Sequence, residues 1–258
     1  MLSEFELRQI AHRFYHKGVT ALVLTGSYAT GEADPFSDID FLRFISADRF
    51  KDKGSHLIEG YLFNVSDIAL DELEKWFTEP EVAVNVIVGI RQARALFDEV
   101  GIFAQVQKRA LEFRWDEVMQ EKANRWASEK MLGWVEEVHK GLGGLRRYDS
   151  GRLLQARFGL SWGLAEVVQV QRGILSTDNS FFDDLAEAVG KDSAWSNSCR
   201  TAFGLSNKGT APNLQEEVQA GLNLYIETAK LLQGELLSEI APVIAQTVQR
   251  IIKELGGQ

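Results

Sequence analysis

The stretch Gly26-Ser-Tyr-Ala-Thr-Gly-Glu-Ala-Asp-Pro-Phe-Ser-Asp-Ile-Asp40 holds the residues best suited to chemistry. Asp38 and Asp40 are spaced i, i+2 and lead into the apolar run Phe41-Leu-Arg-Phe-Ile45. On a strand, that spacing points both carboxylates to one face, roughly 6 to 7 Å apart at the backbone. Two acceptor-only carboxylates side by side repel unless a positive charge lies between them. Mg²⁺ suits that place, because it takes oxygen ligands from one or two carboxylates and the rest from water and phosphates.

Gly26 and Ser27 supply the complementary half. They follow Thr20-Ala-Leu-Val-Leu-Thr25, an apolar run of strand length. Gly26 has no Cβ, so an anion can approach the backbone closely. Ser27 offers a hydroxyl and an N–H, and a helix starting there would favour a phosphate. The ordered combination is far more specific than either half alone: strand, Gly-Ser-x-x-x-Gly, short acidic loop, Ser-Asp-x-Asp, strand.

This fifteen-residue pattern resembles the signature of the polymerase-β-type nucleotidyltransferase superfamily. Its closest likeness is to the lincosamide and aminoglycoside nucleotidyltransferases, enzymes of antibiotic resistance. Ala95-Leu-Phe-Asp-Glu-Val-Gly101 is similar to a strand and turn of that group, and the helical region from Lys122 to Gly173 resembles its second domain in pattern. The resemblance implies transfer of a nucleoside monophosphate, AMP by preference, from ATP or another NTP to a hydroxyl of a small molecule. Pyrophosphate would leave. It implies Mg²⁺ on Asp38 and Asp40 and nucleotide phosphates near Gly26, Ser27 and Ser37. It also implies a third carboxylate on a following strand. We expect that strand over His56 to Asp67, with Tyr61 in the register of the third acid. Glu59 lies two residues earlier on the same face and is the candidate to serve in its place; Asp67 shares that face further along. Two alternatives stay open: a nucleotide-binding protein with a degenerate site, and a nucleotidyltransferase acting on protein or RNA.

The elements around the motif set the expected fold class, α+β. A mixed β-sheet domain with flanking helices is expected over residues 1–113, and an all-α helical bundle over residues 114–258. In the first part we expect a helix near 3–17, strands near 20–25, 38–46 and 56–66, a helix near 70–77 and a strand near 94–98. Glu79-Pro80 breaks the chain, and the length of 81–93 favours a helix. In the second part Val135, Val138, Leu142 and Leu145 form a core-facing stripe. Further helices are expected near 151–172, 180–190, from Asn213 to about 238, and after Pro242. Asn213 and Glu216 have capping-box spacing. Ser206 to Asn213 reads as a polar connector. Glu129, Glu136 and Glu137 lie on the first bundle helix; in related enzymes a carboxylate from the helical domain can act as general base.

Composition narrows the partners. The chain has 258 residues, 45% hydrophobic and 25% charged, with a net charge of −9. A protein that grips nucleic acid along its backbone usually shows a basic face, so a long nucleic-acid substrate is not expected. An acidic surface favours a cationic acceptor by long-range attraction. No apolar stretch approaches the roughly 20 residues needed to span a membrane. The N-terminal residues lack a basic region followed by an apolar one, and the expected location is the cytoplasm. Cys199 is the one cysteine, which leaves no Cys cluster for zinc. The resemblance also makes a homodimer an expectation.

Overall fold

The computed structural model describes residues 2–46, 52–205 and 209–256. Within the connector Ser206 to Asn213, residues 206–208 lie outside the described residues. The chain divides into two compact units, Met1–Arg114 and Trp115–Gln258. The fold class is α+β: a mixed sheet with helices in the first unit, and helices alone in the second.

The sheet of the first unit has five strands: β1 (Val19–Thr25), β2 (Ile39–Ile45), β3 (Gly54–Ile58), β4 (Tyr61–Ala69) and β5 (Arg94–Phe97). Their order is β3-β4-β2-β1-β5. The β2–β4 pair is parallel and the other pairs are antiparallel. β1 sits inside the sheet, and Ala21, Leu22, Val23 and Leu24 are all fully buried. That burial on both faces explains why β1 reads as a continuous apolar run and not as an alternation.

Each face of the sheet has its own cover. Helix α1 (Glu4–Ala11) opens with a Ser3–Glu6 capping box. It packs Leu7, Ile10 and Ala11 against Ile39, Phe41, Phe63 and Val65. The other face carries Phe44, whose ring meets Trp76 and Phe103 at centroid distances of 5.9 and 5.8 Å. Phe103 belongs to a helix, Ile102–Glu112, that the sequence reading did not anticipate. Asp98 caps it, accepting hydrogen bonds from the N–H groups of Phe103 and Ala104. The Leu-Phe-Asp-x-x-Gly segment is thus a strand end, a turn and a helix start.

The expected strand over 56–66 is corrected. It is a hairpin, with Ile58 paired to Tyr61 and a two-residue turn at Glu59-Gly60. Both turn residues have positive φ, 53° and 85°. Two consecutive positive φ values define the turn whose twist matches the flanking strands, and a glycine at its second position costs nothing sterically. The helix expected near 70–77 is a single 3-10 turn, Leu70–Glu72, followed by the short helix Lys75–Thr78. Residues 80–92 are helical, with Pro80 in the first turn.

The second unit holds seven helices among the described residues. The first bundle helix is corrected to two, Glu117–Gly133 and Val135–Arg147, divided at Trp134. Glu129 therefore lies on one helix, and Glu136 and Glu137 on the next. Counted from α1, the earlier helices are α2 (Gly26–Thr30), α3 (Lys75–Thr78), α4 (Pro80–Gln92), α5 (Ile102–Glu112), α6 (Glu117–Gly133) and α7 (Val135–Arg147); α8 (Ser150–Gln171), α9 (Phe181–Val189), α10 (Ala194–Ala202), α11 (Leu214–Leu231) and α12 (Ala241–Gly256) follow. The Asn213–Glu216 capping box forms as its spacing implies. Met131, Leu160, Leu164, Trp195, Leu222 and Tyr225 are part of one buried apolar cluster. Two buried polar groups are tied in: the Tyr225 hydroxyl donates to the Met131 carbonyl at 3.1 Å, and the Trp195 indole N–H donates to Thr228 Oγ1 at 2.9 Å. No helix among the described residues is long and apolar enough to cross a membrane.

Candidate active site

Strand register builds the site. Thr25 on β1 pairs with Asp40 on β2, Asp40 pairs with Asn64 on β4, and Asn64 pairs with Ser55 on β3. These residues form one lateral row across four strands. Asp40 and Asn64 are parallel partners, so their side chains leave the sheet on the same side. Ile39, Phe41, Phe63 and Val65 leave on the other side, into the α1 core. The sequence alternates polar and apolar here because the strand divides a chemical face from a core face.

The side chains of the row are hydrogen-bonded in series. Ser55 Oγ donates to Asn64 Oδ1 at 2.7 Å. Asn64 Nδ2 donates to Asp38 Oδ2 at 2.6 Å and to Asp40 Oδ1 at 3.3 Å. One amide nitrogen thus reaches both carboxylates, which fixes their orientation and places Asp38 and Asp40 side by side, as the i, i+2 spacing implies. Because Ser55 engages the carbonyl oxygen, the amide presents its donor end to the acids.

Gly26 completes the row from the β1 side. It starts the short helix Gly26–Thr30 with φ +67°, a conformation that glycine adopts freely. A Cβ built there would stand 2.8 Å from Asp40 Oδ2. The absence of a side chain is therefore what lets the Asp40 carboxylate lie over the Gly26–Ser27 turn. Ser37 has a different task. Its hydroxyl donates to Asp34 Oδ1 at 3.1 Å and accepts from the Asp34 N–H at 2.9 Å, closing the loop that delivers Asp38 to β2.

The third acid is where sequence reasoning went astray. The side chain opposite Asp40 is the amide of Asn64, not Tyr61 or Glu59. Tyr61 sits on the opposite face and packs against the α1 core. Glu59 occupies the hairpin turn, exposed, and does not share a strand face with the aspartates. Asp67 shares the Tyr61 face, as expected, but that face is buried: Asp67 receives Arg43 Nε at 2.7 Å. Arg43, fully buried, also reaches Asp52 at 2.9 Å. Burial pushes the Asp52 carboxyl up, but hydrogen bonds from His16 and Arg43 outweigh it and hold it below its ordinary value. The signal that would have exposed the register was the Glu-Gly pair between two alternating runs, a hairpin mark.

The donor set suits one hard cation. Asp38 and Asp40 offer anionic oxygens on a common side, the chemistry divalent magnesium takes. Among the described residues no group of three or more His, Cys, Asp or Glu side chains gathers to hold a metal. Of the three bundle carboxylates singled out in the sequence, Glu129 and Glu136 are exposed. Glu137 is buried and pairs with Lys140 at 2.7 Å. Lys140 also reaches the exposed Glu136 and holds that carboxyl below the usual range by a hydrogen bond.

Two comparisons bear on this site. Residues 6–97 match the family model of the nucleotidyltransferase domain, and they include every residue of the row. The whole chain is similar in fold to a nucleotidyltransferase-like protein from Exiguobacterium sibiricum 255-15, with a TM-score of 0.50. Identity there is 11% over 98% of this chain and 79% of that one, a likeness of fold alone. The segment that carries the lateral row is thus the segment similar to a nucleotidyltransferase domain.

Proposed function

We propose that this protein transfers a nucleoside monophosphate from a nucleoside triphosphate to a hydroxyl of a small molecule. The observation that carries the reading is the row Gly26, Asp40, Asn64 with Asp38 beside it, inside the segment that matches the nucleotidyltransferase domain. Asp38 and Asp40 would hold Mg²⁺, and the ion would supply positive charge against the transferring phosphoryl group. Gly26 and the Ser27 backbone leave the space in which the remaining phosphates lie. Asn64 keeps the two carboxylates aligned. An amide takes up no proton at neutral pH, so the proton of the acceptor hydroxyl leaves by another group or to solvent. The net charge of −9 favours a cationic acceptor, and aminoglycosides or lincosamides are the first classes to try, with ATP as donor.

A second reading rests on Asn64 itself. Where the resemblance implies a third carboxylate, this chain has an amide, which favours a protein that binds Mg²⁺-nucleotide without turning it over. Calorimetry with ATP and Mg²⁺, run beside a pyrophosphate-release assay with a panel of drug, protein and RNA acceptors, separates the two. Binding with acceptor-dependent pyrophosphate release supports transfer. Binding with none on any acceptor supports the second reading. Failure to bind any nucleotide overturns both.

A further inference from the structure

The chemical face of the sheet carries exposed apolar groups beside its acids. On β4, Asn64 has Leu62 on one side and Ser66 on the other, all three on that face by the period of two. Leu62 pairs across the hairpin with Leu57 on β3, which shares the face of Ser55. Paired side chains of this kind stand roughly 5 Å apart at Cβ. The opposite face of the hairpin has a cover: His56 meets the ring of Phe14 at 5.1 Å, and Ile58 and Tyr61 pack against the α1 core. Leu57 and Leu62 are instead 78% and 44% exposed.

β3 lies at the edge of the sheet, and an edge strand usually turns charge toward water. Single exposed leucines are normal; two leucines paired across an edge hairpin, beside a polar row, make a patch. Strand register fixes its place. Ile39 pairs with Phe63, so Asp38 is level with Leu62. The Asn64 amide that bonds Asp38 at 2.6 Å is two residues from Leu62 on the same strand face. Phe36, two residues before Asp38, is 95% exposed. Exposed apolar surface thus precedes Asp38 in the chain and flanks it on the sheet.

The occupant follows from the direction of the transfer proposed above, on which this inference rests. The acceptor oxygen bonds to the α-phosphorus as the bond from that phosphorus to the pyrophosphate oxygen breaks, and the two oxygens lie in line. The hydroxyl proton leaves to solvent or to another group. Pyrophosphate departs over Gly26 and Ser27, on the β1 side of the acids. The acceptor therefore enters from the β4 side, over Asn64, where the hairpin offers Leu62 and Leu57. We propose that these two leucines bind the acceptor, and that it is an amphiphilic alcohol with hydrocarbon close to the hydroxyl that is modified. A compound bearing only hydroxyl and ammonium groups has no apolar area to bury there, and the leucines would strip water from its polar groups without replacing the hydrogen bonds.

The test uses the full chain with Mg²⁺ and α,β-methylene-ATP, whose bond at the α-phosphorus cannot break, and calorimetry reads acceptor binding. Lincomycin, chloramphenicol and hexyl β-D-glucoside are the probes with an apolar flank; kanamycin and methyl β-D-glucoside are those without. The expected result is saturable binding of at least one flanked probe, at least tenfold tighter than either of the others. In the double variant Leu57→Thr, Leu62→Thr that probe should bind at least tenfold more weakly, with nucleotide affinity unchanged, and Leu57→Met, Leu62→Met should keep its affinity. Threonine suits a strand, and circular dichroism checks the fold; if the threonine variant is unfolded, the probe comparison on the unaltered protein decides. Tighter binding of kanamycin, no binding of any flanked probe, or equal binding in the folded threonine variant would overturn the proposal while leaving the transferase reading in place. A fall in nucleotide affinity in that variant would give the leucines to the nucleotide, and a dimer that it splits with probe binding unchanged would give them to a second copy; either overturns the proposal. Failure of the unaltered protein to bind the nucleotide overturns the transferase reading and this inference with it.

Discussion

The amide nitrogen of Asn64 lies 2.6 Å from a carboxylate oxygen of Asp38, and the same nitrogen reaches Asp40 at 3.3 Å. A neutral donor stands where two like charges converge, and it lowers their mutual repulsion without a cation. Asn64→Asp replaces that donor by a third acceptor. Without divalent ions the variant should melt at a lower temperature than the unaltered protein. Added Mg²⁺ should raise its Tm by more than it raises that of the unaltered protein, because three carboxylates attract the ion more than two. Thermal scans with and without Mg²⁺ check this. Identical Mg²⁺ shifts in the two proteins would count against a cation site at Asp38 and Asp40.

Gly26 should not tolerate a side chain. Its positive φ costs a residue with a Cβ roughly 1 to 2 kcal/mol, and the Cβ would stand 2.8 Å from Asp40 Oδ2. Gly26→Ala should lower stability by about that amount and displace the Asp40 carboxylate. Nucleotide affinity measured by calorimetry should then fall at least tenfold. Unchanged affinity in a folded Gly26→Ala protein would place the phosphates elsewhere.

Glu59 offers the opposite case, a strained residue without a partner role in the row. It holds φ 53° at the first position of a two-residue turn before Gly60. Asn-Gly is the pair this turn prefers, since Asn visits the left-handed region at little cost. Glu59→Asn should therefore raise stability by roughly 1 kcal/mol. It should leave nucleotide binding and turnover as they are. Loss of turnover in the stabilised variant would restore Glu59 as a catalytic acid.

Asp52 gives a pH-dependent test of the first unit. Its carboxyl is held below its ordinary value of 3.8 by His16 and Arg43 acting against burial. A depressed folded-state value means a contribution that is fully present above 3.8 and lost as the pH falls below it. Asp52→Asn should cost about 1 kcal/mol at pH 7, the lower end for a charge-assisted bond because Asp52 is a third exposed. The stability gap between the two proteins should close as the pH falls below 3.8. Urea unfolding at stepped pH measures it, and a gap that does not change with pH would remove the ionic role.

Much of this architecture is legible in the sequence, and the failures share a cause. β1, β2 and the Asp38–Asp40 pair read directly, because an apolar strand and an i, i+2 spacing are local signals. The Asn213–Glu216 cap reads for the same reason. Asn64 does not, since its place opposite Asp40 depends on a parallel register between residues 24 apart in the chain. The register assumed for Tyr61 is three positions short of Asn64, an odd offset that puts it on the wrong face, and the unread turn at Glu59-Gly60 takes Glu59 off the strand. Helix α10 was missed because Ala-Trp-Ser-Asn-Ser-Cys-Arg-Thr-Ala is rich in weak helix formers. Its helicity comes from the Ser193 cap and from burying Trp195 against Thr228. The break at Trp134 was missed because the apolar stripe continues on its far side at Val135 and Val138.

The most direct measurement is Mg²⁺-dependent pyrophosphate release from ATP, with the acceptor panel, by the unaltered protein and by Asp38→Asn and Asp40→Asn. The loss of metal charge at the transferring phosphoryl group is worth several kcal/mol of transition-state stabilisation. The account predicts release by the unaltered protein that depends on both Mg²⁺ and an acceptor. It predicts a fall of at least a thousandfold in each variant, with Tm within a few degrees. Release by folded Asp40→Asn at the rate of the unaltered protein would contradict the account.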